Sequence, residues 1–151
     1  MTEMTVVIGS DHAGFAMKEQ ICRYLQEKGY TVEDVGCQGT ASCDYPDFAL
    51  AVGEKIRSGQ CRWGILICGS GVGMAIAVNK VPGVRAANVF DPAIAALARE
   101  HNDANVLTLG ARFLSLAQAC QIVEKFITTA FAGDRHARRV QKIAEIEQKF
   151  C

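Results

Sequence analysis

An α/β fold, with a parallel sheet wrapped by helices, is what this sequence predicts, and two observations predict it. Short β-branched or apolar runs alternate along the chain with longer stretches of helical period. No repeat, low-complexity tract or linker interrupts that alternation, and 151 residues suit one domain with a core large enough to fold alone, so residues 1–151 are read as a single domain.

The first run, 5–8, is β-branched and apolar and reads as a strand. Helical spacing follows over 15–27 and ends at Gly29. A second strand spans 31–35, and the small-residue segment 36–44 is a loop long enough to border a site. The next helix covers 48–56 and ends near Gly59; the third strand is 64–68. A short helix over 74–80 is stopped by Pro82, the fourth strand is 85–89, and Pro92 opens a helix over 92–99. Strand 106–109 and helices 116–131 and 137–150 complete the chain. In the last helix Val140, Ile143, Ile146 and Phe150 form an apolar seam spaced for packing on a neighbour.

Composition narrows the function classes. Half of the residues are hydrophobic, yet no apolar run approaches the roughly 18 residues of a membrane span. The N-terminal stretch MTEMTVVIGSDH lacks the order of a secretory signal, so a cytoplasmic protein is expected. Sixteen Lys and Arg balance sixteen Asp and Glu, which leaves no global field to draw nucleic acid or an anionic membrane; any anion must be held by a local cluster. Seven cysteines, at 22, 37, 43, 61, 68, 120 and 151, include no C-x-x-C pair and suggest neither a disulfide framework nor a zinc site. Most read as small buried or incidental hydrophobes.

Parallel sheets hold ligands at the carboxyl ends of their strands. There the sequence reads Gly9-Ser10-Asp11-His12, then Cys68-Gly69-Ser70-Gly71-Val72-Gly73, then Gly110-Ala111-Arg112. Glycines at 69, 71 and 73 let backbone amides turn toward a bound oxygen anion, although tight turns also use glycine for steric reasons alone. The segment is not a Walker A loop, since the Lys-Ser/Thr ending is missing, and its G-x-G-x-G spacing fails the dinucleotide fingerprint. Cys68, beside those amides and ahead of a helix, suits a base or a nucleophile. All three histidines lie in polar turns, and His12 and His101 both stand where elements end, so together they favour a site. Arg135 and Arg139 are four apart on one helical face and could grip a phosphate with Arg112 as a third cation; a solvated helix face is the plainer reading.

The strings IGSDHAGFAMKE, DYPDFA, GILICGSGVGMAIAVNKVPGVRAA, REHNDANVLTLGAR and GDRHARRVQKIAEIE, in order from residue 8 to residue 147, resemble the signature blocks of the ribose-5-phosphate isomerase B family, which includes galactose-6-phosphate and allose-6-phosphate isomerases. The resemblance implies a three-layer Rossmann-like sandwich with a five-stranded parallel sheet. It also implies a homodimer with shared active sites, leaving dimer and tetramer open, and interconversion of D-ribose 5-phosphate with D-ribulose 5-phosphate in the pentose phosphate pathway. By position, Cys68 is the implied base between C2 and C1, assisted by Ser70, and the amides of Gly69, Ser70, Gly71, Val72 and Gly73 face the oxygen of a cis-enediolate. His101 opens the furanose ring; Asp11, Tyr45 and Asn102 contact the sugar; His12, Arg112, Arg135 and Arg139 bind phosphate. His101, Asn102 and Arg112 are implied to come from the partner of the subunit that supplies Cys68. Met74 stands where one branch of the family has a glutamate base, which puts this chain in the cysteine branch. No metal and no cofactor is implied.

Within the enzyme class the alternative is a six-carbon phosphosugar, with the loop over 37–44 setting pocket length. A non-catalytic module that binds a phosphorylated metabolite would not need Cys68 and His101, and both are present. A thiol redox protein would need a resolving cysteine close in sequence to Cys68, and there is none.

Overall fold

The computed structural model describes residues 4–151; the first three residues, part of the stretch tested above for a secretory signal, lie outside the described residues. Eleven elements follow one another: β1 (Thr5–Ser10), α1 (Phe15–Glu27), β2 (Thr31–Asp34), α2 (Tyr45–Arg57), β3 (Trp63–Cys68), α3 (Val72–Val78), β4 (Ala86–Asn88), α4 (Pro92–Asn102), β5 (Val106–Gly110), α5 (Leu116–Thr128) and α6 (Arg135–Lys149). The strands form one sheet in the order β2-β1-β3-β5-β4, and every neighbouring pair is parallel. The expected α/β class and five-stranded parallel sheet are therefore what the chain adopts.

Side-chain alternation along the strands sorts the helices into two layers. Val6 and Ile8 of β1, with Ile65 and Ile67 of β3, face a core shared with Ile21 and Leu25 of α1, Ala95 and Ala98 of α4, and Ile122 and Phe126 of α5. Val7, Leu66 and Cys68 face the opposite way, onto Ala49 and Val52 of α2 and Met74 and Val78 of α3. The central strand β3 is buried along its whole length, as a strand covered on both faces must be. Among the described residues no helix is long and apolar enough to cross a membrane.

Several boundaries differ from expectation for identifiable reasons. Helix α2 starts at Tyr45, three residues before the apolar period begins, because Asp44 is extended and Pro46 suits a first turn. Helix α4 runs on to Asn102, where Asp103 in the left-handed region ends it. Strand β4 is only Ala86–Asn88. The seam of α6 is largely open: Ile143, Ile146 and Phe150 are 45%, 58% and 86% exposed.

Candidate active site

The chain leaves β1 toward β2 on one side and later enters β3 on the other, so the order reverses between the carboxyl ends of β1 and β3. Such a reversal opens a crevice, because the connections depart to opposite sides. A cleft of about 380 Å³ occupies this position, lined by Asp11, Tyr45, Cys68, Gly69, Ser70, Gly73, Arg112 and Phe113. That volume lies in the ordinary range of small-ligand sites, roughly 300–1,000 Å³.

Cys68 ends β3 and is 6% exposed. The Gly71 amide donates to its sulfur at 3.1 Å, a bond that strengthens when the sulfur carries charge. Gly71 caps α3 with φ 82°, a left-handed conformation that aims this amide back at Cys68, and a Cβ there would collide with the Asn88 amide group. Ser70 Oγ accepts from the Val72 amide at 3.2 Å, which leaves its O–H available to donate into the cleft. Two amides of the 69–73 segment are thus committed within the chain, whereas those of Gly69 and Ser70 make no hydrogen bond among the described residues.

The flanking loops are stitched to this turn. Asp11, 8% exposed, donates its amide to the Ile67 carbonyl at 3.2 Å and accepts from the Gly14 amide at 3.1 Å through Oδ1. Ala111 and Arg112 donate their amides to the Cys68 and Gly69 carbonyls at 2.9 and 3.1 Å. A Cβ on Gly69 would lie 3.1 Å from Arg112 Nη1, so the guanidinium lies directly over that residue. This corrects the expectation that Arg112 reaches Cys68 from a partner: Arg112 shares the cleft of its own chain, because the β5 turn is bonded to the β3 turn. Tyr45, the first residue of α2, lays its ring against Gly73, where a Cβ would sit 2.7 Å from Tyr45 Cε1. His12 Nδ1 accepts from the Cys43 amide at 3.3 Å, which ties the imidazole to the loop between β2 and α2.

The remaining predicted residues lie elsewhere. Helix α4 begins beyond the carboxyl end of β4 and descends to Asn102, whose carbonyl accepts from Arg85 Nε, just ahead of β4, at 3.2 Å. His101 and Asn102 therefore stand at the amino edge of the sheet, about 16 Å from the carboxyl edge at 1.5 Å per helical residue. Asp103 anchors that helix end through Arg99 Nη1 at 2.8 Å and Arg85 Nη2 at 3.3 Å. Arg135 and Arg139 are exposed on α6 at the same edge. One chain thus gathers Asp11, His12, Tyr45, Cys68, Ser70 and Arg112, and separately gathers His101, Asn102, Arg135 and Arg139.

Sequence reasoning missed His136. Its ring stacks on that of His101, with centroids 4.2 Å apart and planes 14° from parallel, and it is 7% exposed. Burial first, then the neighbouring His101, Arg135 and Arg139, hold its pKa below the ordinary histidine value. The available signal was its place four residues before Val140, on the inward face of α6. Phe113, at the mouth of the cleft, carried no signal in sequence. Among the described residues no three His, Cys, Asp or Glu side chains converge as a metal-binding group.

The model of the Ribose/Galactose Isomerase family matches residues 6–143. Ribose-5-phosphate isomerase B of Escherichia coli K12 is 42% identical over 144 residues, 95% of this chain and 97% of that protein. Among solved structures, ribose-5-phosphate isomerase B of Clostridium thermocellum superimposes with a TM-score of 0.96 at 50% identity, covering 97% of this chain and 99% of that one. The Mycoplasma genitalium enzyme, solved with bound ribulose-5-phosphate, gives a TM-score of 0.92 at 44% identity over 96% of this chain and 97% of its own. Motif order, fold and switch-point cleft thus agree, and the chain belongs to the Ribose/Galactose Isomerase family.

Proposed function

We propose that the chain is an aldose–ketose isomerase that interconverts D-ribose 5-phosphate and D-ribulose 5-phosphate through a cis-enediolate. The observation that carries this reading is Cys68, buried at the switch point with an amide aimed at its sulfur and a sugar-sized cleft in front of it. In the open-chain substrate, the Cys68 thiolate removes the proton at C2 and returns it at C1, with the Ser70 hydroxyl donating nearby. The oxygen that gains charge meets the amides of Gly69 and Ser70, which are oriented before the reaction and so require no reorganisation during it. Asp11 and Tyr45 contact the sugar hydroxyls. His12 and Arg112 take phosphate with Arg135 and Arg139, while His101 opens the ring and Asn102 contacts the sugar.

Those last four residues stand at the wrong edge of their own chain, so the reading requires a homodimer in which the amino edge of one copy meets the carboxyl edge of the other. The open apolar seam Ile143, Ile146 and Phe150 supports such pairing. Seven free thiols suit a cytoplasmic enzyme. The purified protein should convert ribose 5-phosphate with kcat/KM above that for allose 6-phosphate, and EDTA should leave the rate unchanged; the reverse preference would assign a six-carbon substrate. Sharing of the site is tested by refolding Cys68→Ala and His101→Asn together. Random pairing makes about half of the dimers mixed, and one site in each mixed dimer is intact, so activity should rise toward about a quarter of wild type. Mixed dimers without gain would refute the shared site.

A further inference from the structure

The loop between β2 and α2 carries two thiols that the proposed chemistry does not use. It is pinned to the end of β1, with Ser10 N donating to the Gly36 carbonyl at 2.8 Å and Cys37 N donating to the Ser10 carbonyl at 2.9 Å. Cys37 is 7% exposed, with its sulfur 3.8 Å from Ser10 Oγ and donating to the Gly39 carbonyl at 3.2 Å. Cys43 approaches from the other end of the loop. Its sulfur is 3.9 Å from His12 Nδ1, the atom that also accepts its amide. Both sulfurs thus pack on the end of β1, at Ser10 and at His12 two residues on, and Cys37 is near enough to raise the pKa of Cys43, so residues 38–42 form a loop with a thiol at each end.

We propose that Cys37 and Cys43 are an oxidisable dithiol, a modification site at the rim of the substrate cleft that takes a small disulfide such as oxidised glutathione and closes to an intramolecular disulfide. The half-exposed Cys43 is the entry point: its thiolate attacks one sulfur of the oxidant, forming a mixed disulfide and releasing one thiolate. The Cys37 thiolate then attacks the Cys43 sulfur and expels the second. Two protein thiols and one disulfide become one protein disulfide and two small thiols. Closing the bond draws Cys43 toward Cys37 and away from His12, whose orientation depends on the Cys43 amide. This consequence rests on the assignment of His12 to phosphate, and loss of one charge-assisted contact corresponds to about a tenfold weaker substrate affinity. Burial, then the neighbouring Cys37 thiol, hold the Cys43 thiol above the ordinary thiol range, with Asp11 adding to the effect and the His12 contact opposing it. The attack is therefore slow at neutral pH and quicker in mild alkali.

The test incubates the protein with oxidised glutathione at about pH 8.5, near the ordinary thiol pKa, followed by alkylation and trypsin digestion. Both thiols lie in the peptide 29–55, which has no Lys or Arg before Lys55, and Cys68 lies in the peptide 63–80. The expected result is a 29–55 peptide lighter by two hydrogens and unalkylated, beside an alkylated 63–80 peptide. KM for ribose 5-phosphate should rise about tenfold with kcat retained, and dithiothreitol should reverse both changes. Cys37→Ser and Cys43→Ser should keep their KM under the same treatment. A 29–55 peptide with both thiols alkylated, or with a lasting glutathione adduct, overturns the dithiol; closure without a change in KM overturns its coupling to the cleft. Because the peptide mass is read without any assay, failure of the isomerase reading is distinguishable from failure of the disulfide.

Discussion

The two edges of the sheet are built by different means. At the carboxyl edge, Cys68, Ser70 and Asp11 are held by backbone: an amide on the thiol, an amide on the hydroxyl, and turns from β1, β3 and β5 bonded together. At the amino edge, His101, Asn102, Arg135 and Arg139 project from the ends of two helices, and the arginines are exposed. Backbone amides are fixed to within the tolerance of the fold, which suits a group that must meet one C–H. Long cationic side chains tolerate misplacement and suit a doubly charged phosphate. Damage to Cys68 and the amides around it should therefore appear in turnover, and loss of Arg135 or Arg139 in binding.

The sharpest division comes from Cys68→Ala. Its kcat should fall by roughly 10²–10⁴ with little change in substrate dissociation constant, as measured by single-turnover kinetics and calorimetry. Turnover close to wild type would mean that another group is the base and would dissolve the contrast between the edges.

Gly71→Ala tests whether backbone geometry alone sustains that edge. A left-handed residue with a Cβ against Asn88 costs about 1–2 kcal/mol of strain, and relief of that strain swings the amide from the Cys68 sulfur. A kcat loss of about 10²-fold is expected, comparable to removal of one preorganised donor, with KM nearly constant. An equal rise in KM would show that the turn binds ground state and transition state alike.

At the other edge, Arg135→Ala and Arg139→Ala should each raise KM for ribose 5-phosphate about tenfold and leave the handling of unphosphorylated ribose unchanged. Parallel losses for both sugars would make these side chains supports of the fold.

The smallest effect concerns His136. Its pKa is lowered in the folded chain, so the unfolded chain takes up the proton first as the pH falls through the ordinary histidine value of 6.5. Stability should decline from just above that pH and level off below the folded pKa. His136→Gln should flatten this part of the profile in urea titrations; an unchanged slope would mean that His136 does not cause it.

Much of this was legible in the chain itself. Alternation of apolar runs with helical period identified every strand and helix within a few residues, because each element buries a stripe that its own period prescribes. Cys68, the glycines after it, Asp11 and His12 could be read as a site because strand ends in parallel sheets face one edge. The strand order, the placement of Arg112 beside Gly69, the stacking of His136 on His101 and the meeting of Cys37 with Cys43 could not be read. Each depends on which connections pass which strand, a property of the packed sheet with no periodic trace. Local period and turn chemistry are carried by neighbouring residues, so the sequence alone determined the elements and the strand-end motif. Contacts between residues tens of positions apart exist only once the layers close, and the tertiary structure alone decided which half of the site each side chain joins.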